Sequence, residues 1–77
     1  MRLDKYLKVS RLIKRRTVAN EACDAGRVMI NDRPAKASAD VKAGDKITIS
    51  FGNKDVSVEV LSVQETVRKD KEMFRYL

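Results

Sequence analysis

The chain has no histidine, no tryptophan, one cysteine, one proline and three glycines among its 77 residues. Without an imidazole there is no Ser-His-acid or Cys-His arrangement and no plausible zinc set. The single thiol, Cys23, cannot close an internal disulfide. Four acids precede residue 40 (Asp4, Glu21, Asp24 and Asp32), and a chain this short leaves little room to build a water-excluding pocket around any of them. Gly26, Gly44 and Gly52 lie in separate segments and form no phosphate-cradling loop. The four aromatics, Tyr6, Phe51, Phe74 and Tyr76, are too few and too scattered for a base-stacking sheet. No apolar run approaches the roughly 18 residues of a membrane span. The start Met1-Arg2-Leu3-Asp4-Lys5 has no secretory apolar stretch, so the expected location is the cytoplasm. These absences argue against an enzyme, a metal or redox protein and a cofactor carrier, and leave binding as the expected activity.

What the chain has is cations, unevenly placed. Its formal charge is +6, and residues 1–16 hold seven basic side chains (Arg2, Lys5, Lys8, Arg11, Lys14, Arg15 and Arg16) against the single acid Asp4. Residues 17–77 hold ten of each sign and cancel, so the whole surplus lies on one short segment. Concentrated in that way, it attracts a polyanion to one end of the molecule. The plain alternative is a solvated basic face kept for solubility.

Hydropathy places these charges on elements. Leu3, Tyr6, Leu7 and Ile13 recur at helical spacing, with Asp4, Lys8 and Arg11 on the opposite, outward face. Lys14-Arg15-Arg16 interrupts the pattern, and Thr17 is placed to cap a second helix with Val18, Ala19, Ala22 and Ala25 as its apolar positions and Gly26 as its left-handed stop. Cys23 is assigned to packing on that helix. Val28-Met29-Ile30 reads as a strand running into a turn at Asn31-Asp32. Ile47 to Phe51 and Val56 to Val60 alternate apolar and polar residues around Gly52-Asn53, a hairpin pattern. Two helices and a small antiparallel sheet must share one core, an α+β domain over residues 1–62. The remainder, 63–77, reads as a C-terminal tail, a short helix or partly disordered.

The arrangement suits a phosphate backbone. Lys14, Arg15, Arg16 and Thr17 stand at the start of the second helix, where backbone N–H groups and the helix dipole favour an anion. If about six cations displace counterions, affinity falls with salt with a log-log slope on the order of 4 to 5. The second helix carries Glu21 and Asp24 and no base after Arg16, which makes it a poor major-groove reader. Folded RNA recognised by shape fits better than a single strand or a DNA groove.

Four ordered blocks carry a resemblance. Arg2-Leu3-Asp4-Lys5-Tyr6-Leu7, Lys14-Arg15-Arg16-Thr17-Val18-Ala19, Ala25-Gly26-Arg27-Val28-Met29-Ile30-Asn31 and Val41-Lys42-Ala43-Gly44-Asp45-Lys46-Ile47 resemble the S4 RNA-binding domain. Within that family the chain is most similar to the small stand-alone, ribosome-associated group of heat-shock and quality-control type. The resemblance implies the S4-type (alpha-L) fold, with two N-terminal helices packed on a small antiparallel sheet and a basic surface turned to structured RNA. It also implies docking on 23S rRNA and tRNA of an obstructed large (50S) subunit and stabilisation of peptidyl-tRNA during C-terminal tailing of stalled chains. A tailing factor on the same subunit is a further implied partner, with no membrane involved and the chain acting as a monomer. Recycling of the large subunit or ribosome assembly is an alternative role. A protein-interaction module with an incidental basic helix is an alternative of another class.

The expected RNA contacts are Arg2, Asp4, Lys5, Lys8, Arg11, Lys14, Arg15, Arg16, Thr17 and Lys36. Arg16 ranks first because it adjoins the Thr17 cap, and Asp4 is read as orienting Lys8 or Arg11 or as accepting from an RNA hydroxyl or base edge. The family has Gly after the hairpin Asn, where this chain has Asp32, so Asp32→Gly is expected to be neutral or stabilising.

Overall fold

The computed structural model describes residues 1–63 and 73–77. Two helices, α1 (Leu3–Val9) and α2 (Arg16–Asp24), pack on an antiparallel sheet of β1 (Val28–Ile30), β2 (Arg33–Pro34), β3 (Lys46–Ser50), β4 (Asp55–Val60) and β5 (Phe74–Tyr76). The sheet order is β2-β1-β3-β4-β5. This is the expected α+β arrangement.

The register explains the core. Ile47 pairs with Val58 and Ile49 with Val56 across β3 and β4, while Val28 pairs with Ile49 and Ile30 with Ile47 on the other side. Alternation turns these apolar residues to one face. Leu3, Tyr6 and Leu7 of α1 and Ala19 and Cys23 of α2 belong to the same buried cluster. On the other face Thr48 lies opposite Ser57, with their hydroxyls 3.2 Å apart. In α2 the buried pair is therefore Ala19 and Cys23, one turn apart, whereas Val18 is 46% exposed and Ala25 is also exposed.

Three local expectations change. The first helix stops at Val9, and Ile13 reaches the core from the loop that follows. The stop is an αL cap without glycine: Arg11 has φ 65°, its N–H bonds the Lys8 carbonyl, and the Ile13 N–H bonds the Leu7 carbonyl. A second change is at α2, which begins two residues early, with Arg15 as N-cap and no side-chain cap, so Thr17 lies inside the first turn. Its far end follows the expectation: Gly26 has φ 74°, with the Gly26 N–H on Cys23 O and the Arg27 N–H on Ala22 O, a Schellman stop.

The third change is at the C-terminus. The expected tail lies partly outside the described residues, but Phe74–Tyr76 is a strand paired with β4, not a short helix or a disordered end. Met73 is buried, and its carbonyl accepts the Tyr6 hydroxyl at 2.6 Å, which ties this strand to α1. Phe74 and Tyr76 meet edge to face at 5.4 Å. The Asn31-Asp32 turn is as expected, with φ of 54° and 66°, the pair of positive values a type I′ hairpin needs.

Candidate nucleic-acid interface

The site starts from the way α1 is anchored. A helix exposes unpaired N–H groups in its first turn. Here the Leu3 N–H bonds Ala39 O and the Asp4 N–H bonds Ala37 O, so the loop before Val41 covers that end. Lys36 stands exposed on the same loop. The Lys5 N–H is taken by the Asp4 carboxylate itself at 2.8 Å. Asp4 is thereby drawn inward and is 2% exposed, not on the outer face that its spacing from Lys8 and Arg11 suggests.

A buried carboxylate needs cations or donors around it, and these come from two segments. Arg2 Nε lies 3.3 Å from Asp4 Oδ1. From α2, Arg16 Nε donates to Oδ2 at 3.3 Å, with Arg16 Nη2 3.5 Å from Oδ1. Asn20, one turn on, donates its amide nitrogen to Oδ2 at 3.4 Å. Burial pushes the Asp4 carboxyl up, but the Arg16 hydrogen bond, the Lys5 amide and Asn20 outweigh it, and the group is held below its ordinary 3.8. Asp4 is thus an acceptor of several bonds that pins α2 to α1, and its cationic partners are Arg2 and Arg16 rather than Lys8 or Arg11.

The chemistry of the site follows from exposure. The Asp4 side chain is 3% exposed, whereas those of Arg2 and Arg16 are 54% and 47% exposed. Arg16 turns its Nε–Nη2 edge to the carboxylate and keeps its other N–H donors toward solvent, while Arg2 stands beside Oδ1 as an ion partner. A groove of about 420 Å³ opens beside them, lined by Asp4, Arg16, Thr17, Asn20 and Glu21. The uncapped start of α2 adds the positive end of its dipole.

Of the residues named from sequence, the structure gathers Arg2, Asp4, Arg16 and Thr17 here. Lys8, Arg11, Lys14 and Arg15 are exposed along the end of α1 and the following loop, and Lys5 is half-buried on α1. Arg16 does not adjoin a Thr17 cap; it is bonded to Asp4 instead. Asn20 and Glu21 were not singled out. Their signal was present in the helical spacing of Arg16 with Asn20 and of Thr17 with Glu21, which puts both on the flank that carries Arg16.

A family model for the S4 domain matches residues 1–47. The chain belongs to the S4 domain family. Among relatives, it is 59% identical over 71 residues to a protein of Halalkalibacterium halodurans named RQC P-site tRNA stabilizing factor, an alignment covering 92% of this chain and 81% of that one. It is 58% identical to the Bacillus subtilis protein of the same name, covering 92% and 83%. Among solved structures, the trimeric Heat Shock Protein 15 of Vibrio cholerae matches with a TM-score of 0.89 at 28% identity, over 100% of this chain and 81% of that one. The S4 portion ends within β3, so the β3–β4 hairpin and β5 complete the sheet beyond the family's matched segment. No helix among the described residues is long and apolar enough to cross a membrane.

Proposed function

We propose that this S4 domain protein is an RNA-binding factor of ribosome-associated quality control. It docks on 23S rRNA and tRNA of the obstructed large subunit and stabilises the peptidyl-tRNA while the stalled chain is tailed. It works in the cytoplasm as a monomeric binding factor and not as a catalyst. The observation that carries this reading is the buried Asp4 carboxylate holding two half-exposed guanidinium groups, Arg2 and Arg16, from two different segments. The names of the Halalkalibacterium and Bacillus relatives support the choice of P-site tRNA as a ligand.

The mechanism is a rigid electrostatic clamp. Ordering a long side chain at an interface costs about 0.5–1.5 kcal/mol. Arg2 and Arg16 are held in place by Asp4 before the RNA arrives, so that cost is largely met in folding. Their outward donors are set to fork onto phosphate oxygens, while Lys8, Arg11, Lys14 and Arg15 add charge without fixed direction. Such contacts position an RNA by the shape of its backbone and do not read its sequence.

Sedimentation with large subunits that carry peptidyl-tRNA tests this. The wild-type chain is expected to co-sediment and to be released by salt with a log-log slope on the order of 4 to 5. The Arg2→Ala, Arg16→Ala double variant is expected to remain at the top of the gradient. A double variant that co-sediments fully overturns the reading, as does a flat salt response, which favours a protein-interaction module.

A further inference from the structure

The groove beside Arg16 also contains an acceptor whose direction is fixed. Asn20 presents an amide whose two ends differ chemically, and Asp4 decides which end faces inward. The Asp4 carboxylate takes bonds from Arg16 and from the Lys5 N–H, so it accepts only and cannot donate. Asn20 must therefore turn its nitrogen to Asp4, as found at 3.4 Å, and its Oδ1 must point the other way. Among the described residues no buried side-chain oxygen or nitrogen lacks a partner. Among the described residues Oδ1 accepts no bond, so it is open to solvent, and Asn20 lines the groove with Arg16, Thr17 and Glu21.

This puts a neutral acceptor one helical turn from a guanidinium, with both tied to the same carboxylate. Side chains four apart on a helix lie about 5–6 Å from each other. A ligand suited to the pair carries an anion and a hydroxyl donor side by side. Ribose supplies both, because its 2′-hydroxyl neighbours the phosphodiester on the 3′ oxygen of the same sugar, and the 2′-hydroxyl is the group by which proteins tell RNA from DNA. Deoxyribose has the phosphate but no donor there. Glu21, on the rim, offers a second acceptor and opposes a bare phosphate, which favours the hydroxyl side of the sugar at that place.

We propose that Asn20 is a specificity-determining residue: Arg16 takes a phosphate and Asn20 Oδ1 accepts the adjoining ribose 2′-hydroxyl, so that the groove selects RNA by its sugar. This deepens the clamp reading and rests on it. The phosphate contacts supply affinity, and Asn20 supplies discrimination.

The test uses fluorescence anisotropy with a tRNA anticodon-stem hairpin in two forms, all-ribose and fully 2′-fluoro. The second keeps A-form shape and phosphates but cannot donate from the 2′ position. The full-length protein is expected to bind the ribose hairpin about three- to tenfold more tightly, the range of one net hydrogen bond. In Asn20→Leu and in Asn20→Ala that ratio is expected to fall to within about twofold of unity, with thermal melts confirming that each variant folds. A purely structural role for Asn20 weakens both hairpins alike and leaves the ratio unchanged, which overturns the proposal. So does a wild-type ratio of one. Failure of the wild-type protein to bind either hairpin overturns the RNA reading together with this inference, whereas tight binding with an unchanged ratio removes only the role of Asn20.

Discussion

Two ion pairs of the same length sit in the two halves of this molecule and do different things. Arg16 meets Asp4 at 3.3 Å between the helices, and Lys46 meets Asp32 at 3.3 Å at the β1–β2 turn. The Asp4 side chain is 3% exposed and that of Asp32 is 75% exposed. An exposed pair is screened and competes with water, and contributes about 0–1 kcal/mol. A buried carboxylate cannot turn to water, so its partners must come to it, and their directions are set by the fold. Distance alone does not separate a directed cation from an incidental one. Burial of the acceptor does, and on that measure Arg2 and Arg16 differ from Lys8, Arg11, Lys14 and Arg15.

The widest separation between the two regions comes from Asp4→Asn. The substitution keeps shape but turns an amide nitrogen or a weaker oxygen toward Arg16 and Arg2, and removes charge-assisted bonds that contribute on the order of 1.5–3 kcal/mol each. A loss of about 2–3 kcal/mol is expected, seen as a fall in Tm of roughly 10–20 °C for a domain of this size. The effect on RNA is the sharper test. The variant is more basic by one charge, so simple attraction predicts tighter binding to large subunits, whereas loss of the fixed guanidinium directions predicts weaker binding. We expect weaker binding, read from salt-matched co-sedimentation.

Acid denaturation checks the same carboxylate. Its native pKa lies below 3.8, so near that pH the unfolded chain binds more protons than the folded one, and stability rises with pH. The contribution is complete well above 3.8 and fades as pH falls through the depressed native value. Urea midpoints followed downward from pH 6 are expected to fall less steeply in Asp4→Asn than in the wild-type chain. Equal slopes would mean that Asp4 is not the buried proton-linked group.

Tyr6 gives a neutral counterpart on the sheet side. Its buried hydroxyl donates to the Met73 carbonyl and joins α1 to β5. Tyr6→Phe removes that bond while the Leu61 and Ser62 N–H groups still donate to the carbonyl, so the cost is that of one net hydrogen bond, about 0.5–1.5 kcal/mol by chemical denaturation. Burial also pushes the phenol from 10.0 to about 12. Between those values the unfolded chain loses the proton and the native chain keeps it, so this contribution is full below pH 10 and is lost as pH rises toward 12. The Phe variant is expected to lack that alkaline component, and RNA binding at neutral pH is expected to be unaffected.

The architecture was legible where local chemistry and tertiary need agree. The strands alternate, Gly26 stops α2, and Asn31-Asp32 turns the first hairpin. The surplus of cations in residues 1–16 lies on the segment that carries Asp4 and Arg16. What the sequence hid depends on contacts across elements. Asp4 has the spacing of an outward helix position, and nothing local shows that its own neighbour's N–H, Arg2 and two residues of α2 converge on it. Nor does sequence show that α1 ends at Val9, since an arginine occupies the left-handed position where glycine is the usual signal. Strand β5 is short, and its place is set by pairing with β4 and by the Tyr6 hydroxyl on the Met73 carbonyl, both partners distant in sequence.

Arg11 and Asp32 carry the comparison to its smallest effects, because both are non-glycine residues at positive φ, 65° and 66°, one in each region. Left-handed backbone costs an ordinary L-residue about 1–2 kcal/mol, and glycine removes that strain while adding entropy to the unfolded chain. Arg11→Gly is therefore expected to stabilise the fold by up to about 1 kcal/mol. Its loss of a cation should also reduce the salt slope of RNA binding by about one unit. Stability and affinity move in opposite directions there. Asp32 tolerates the left-handed region better than arginine does, and its replacement also gives up the exposed pair with Lys46, so Asp32→Gly should lie between neutral and about 1 kcal/mol stabilising. Removal of a negative charge that pairs with Lys46 and not with Arg2 or Arg16 should leave the RNA salt slope unchanged. If Asp32→Gly destabilises the protein clearly, the exposed Lys46 pair matters more than its exposure allows, and the distinction between buried and exposed carboxylates loses its basis.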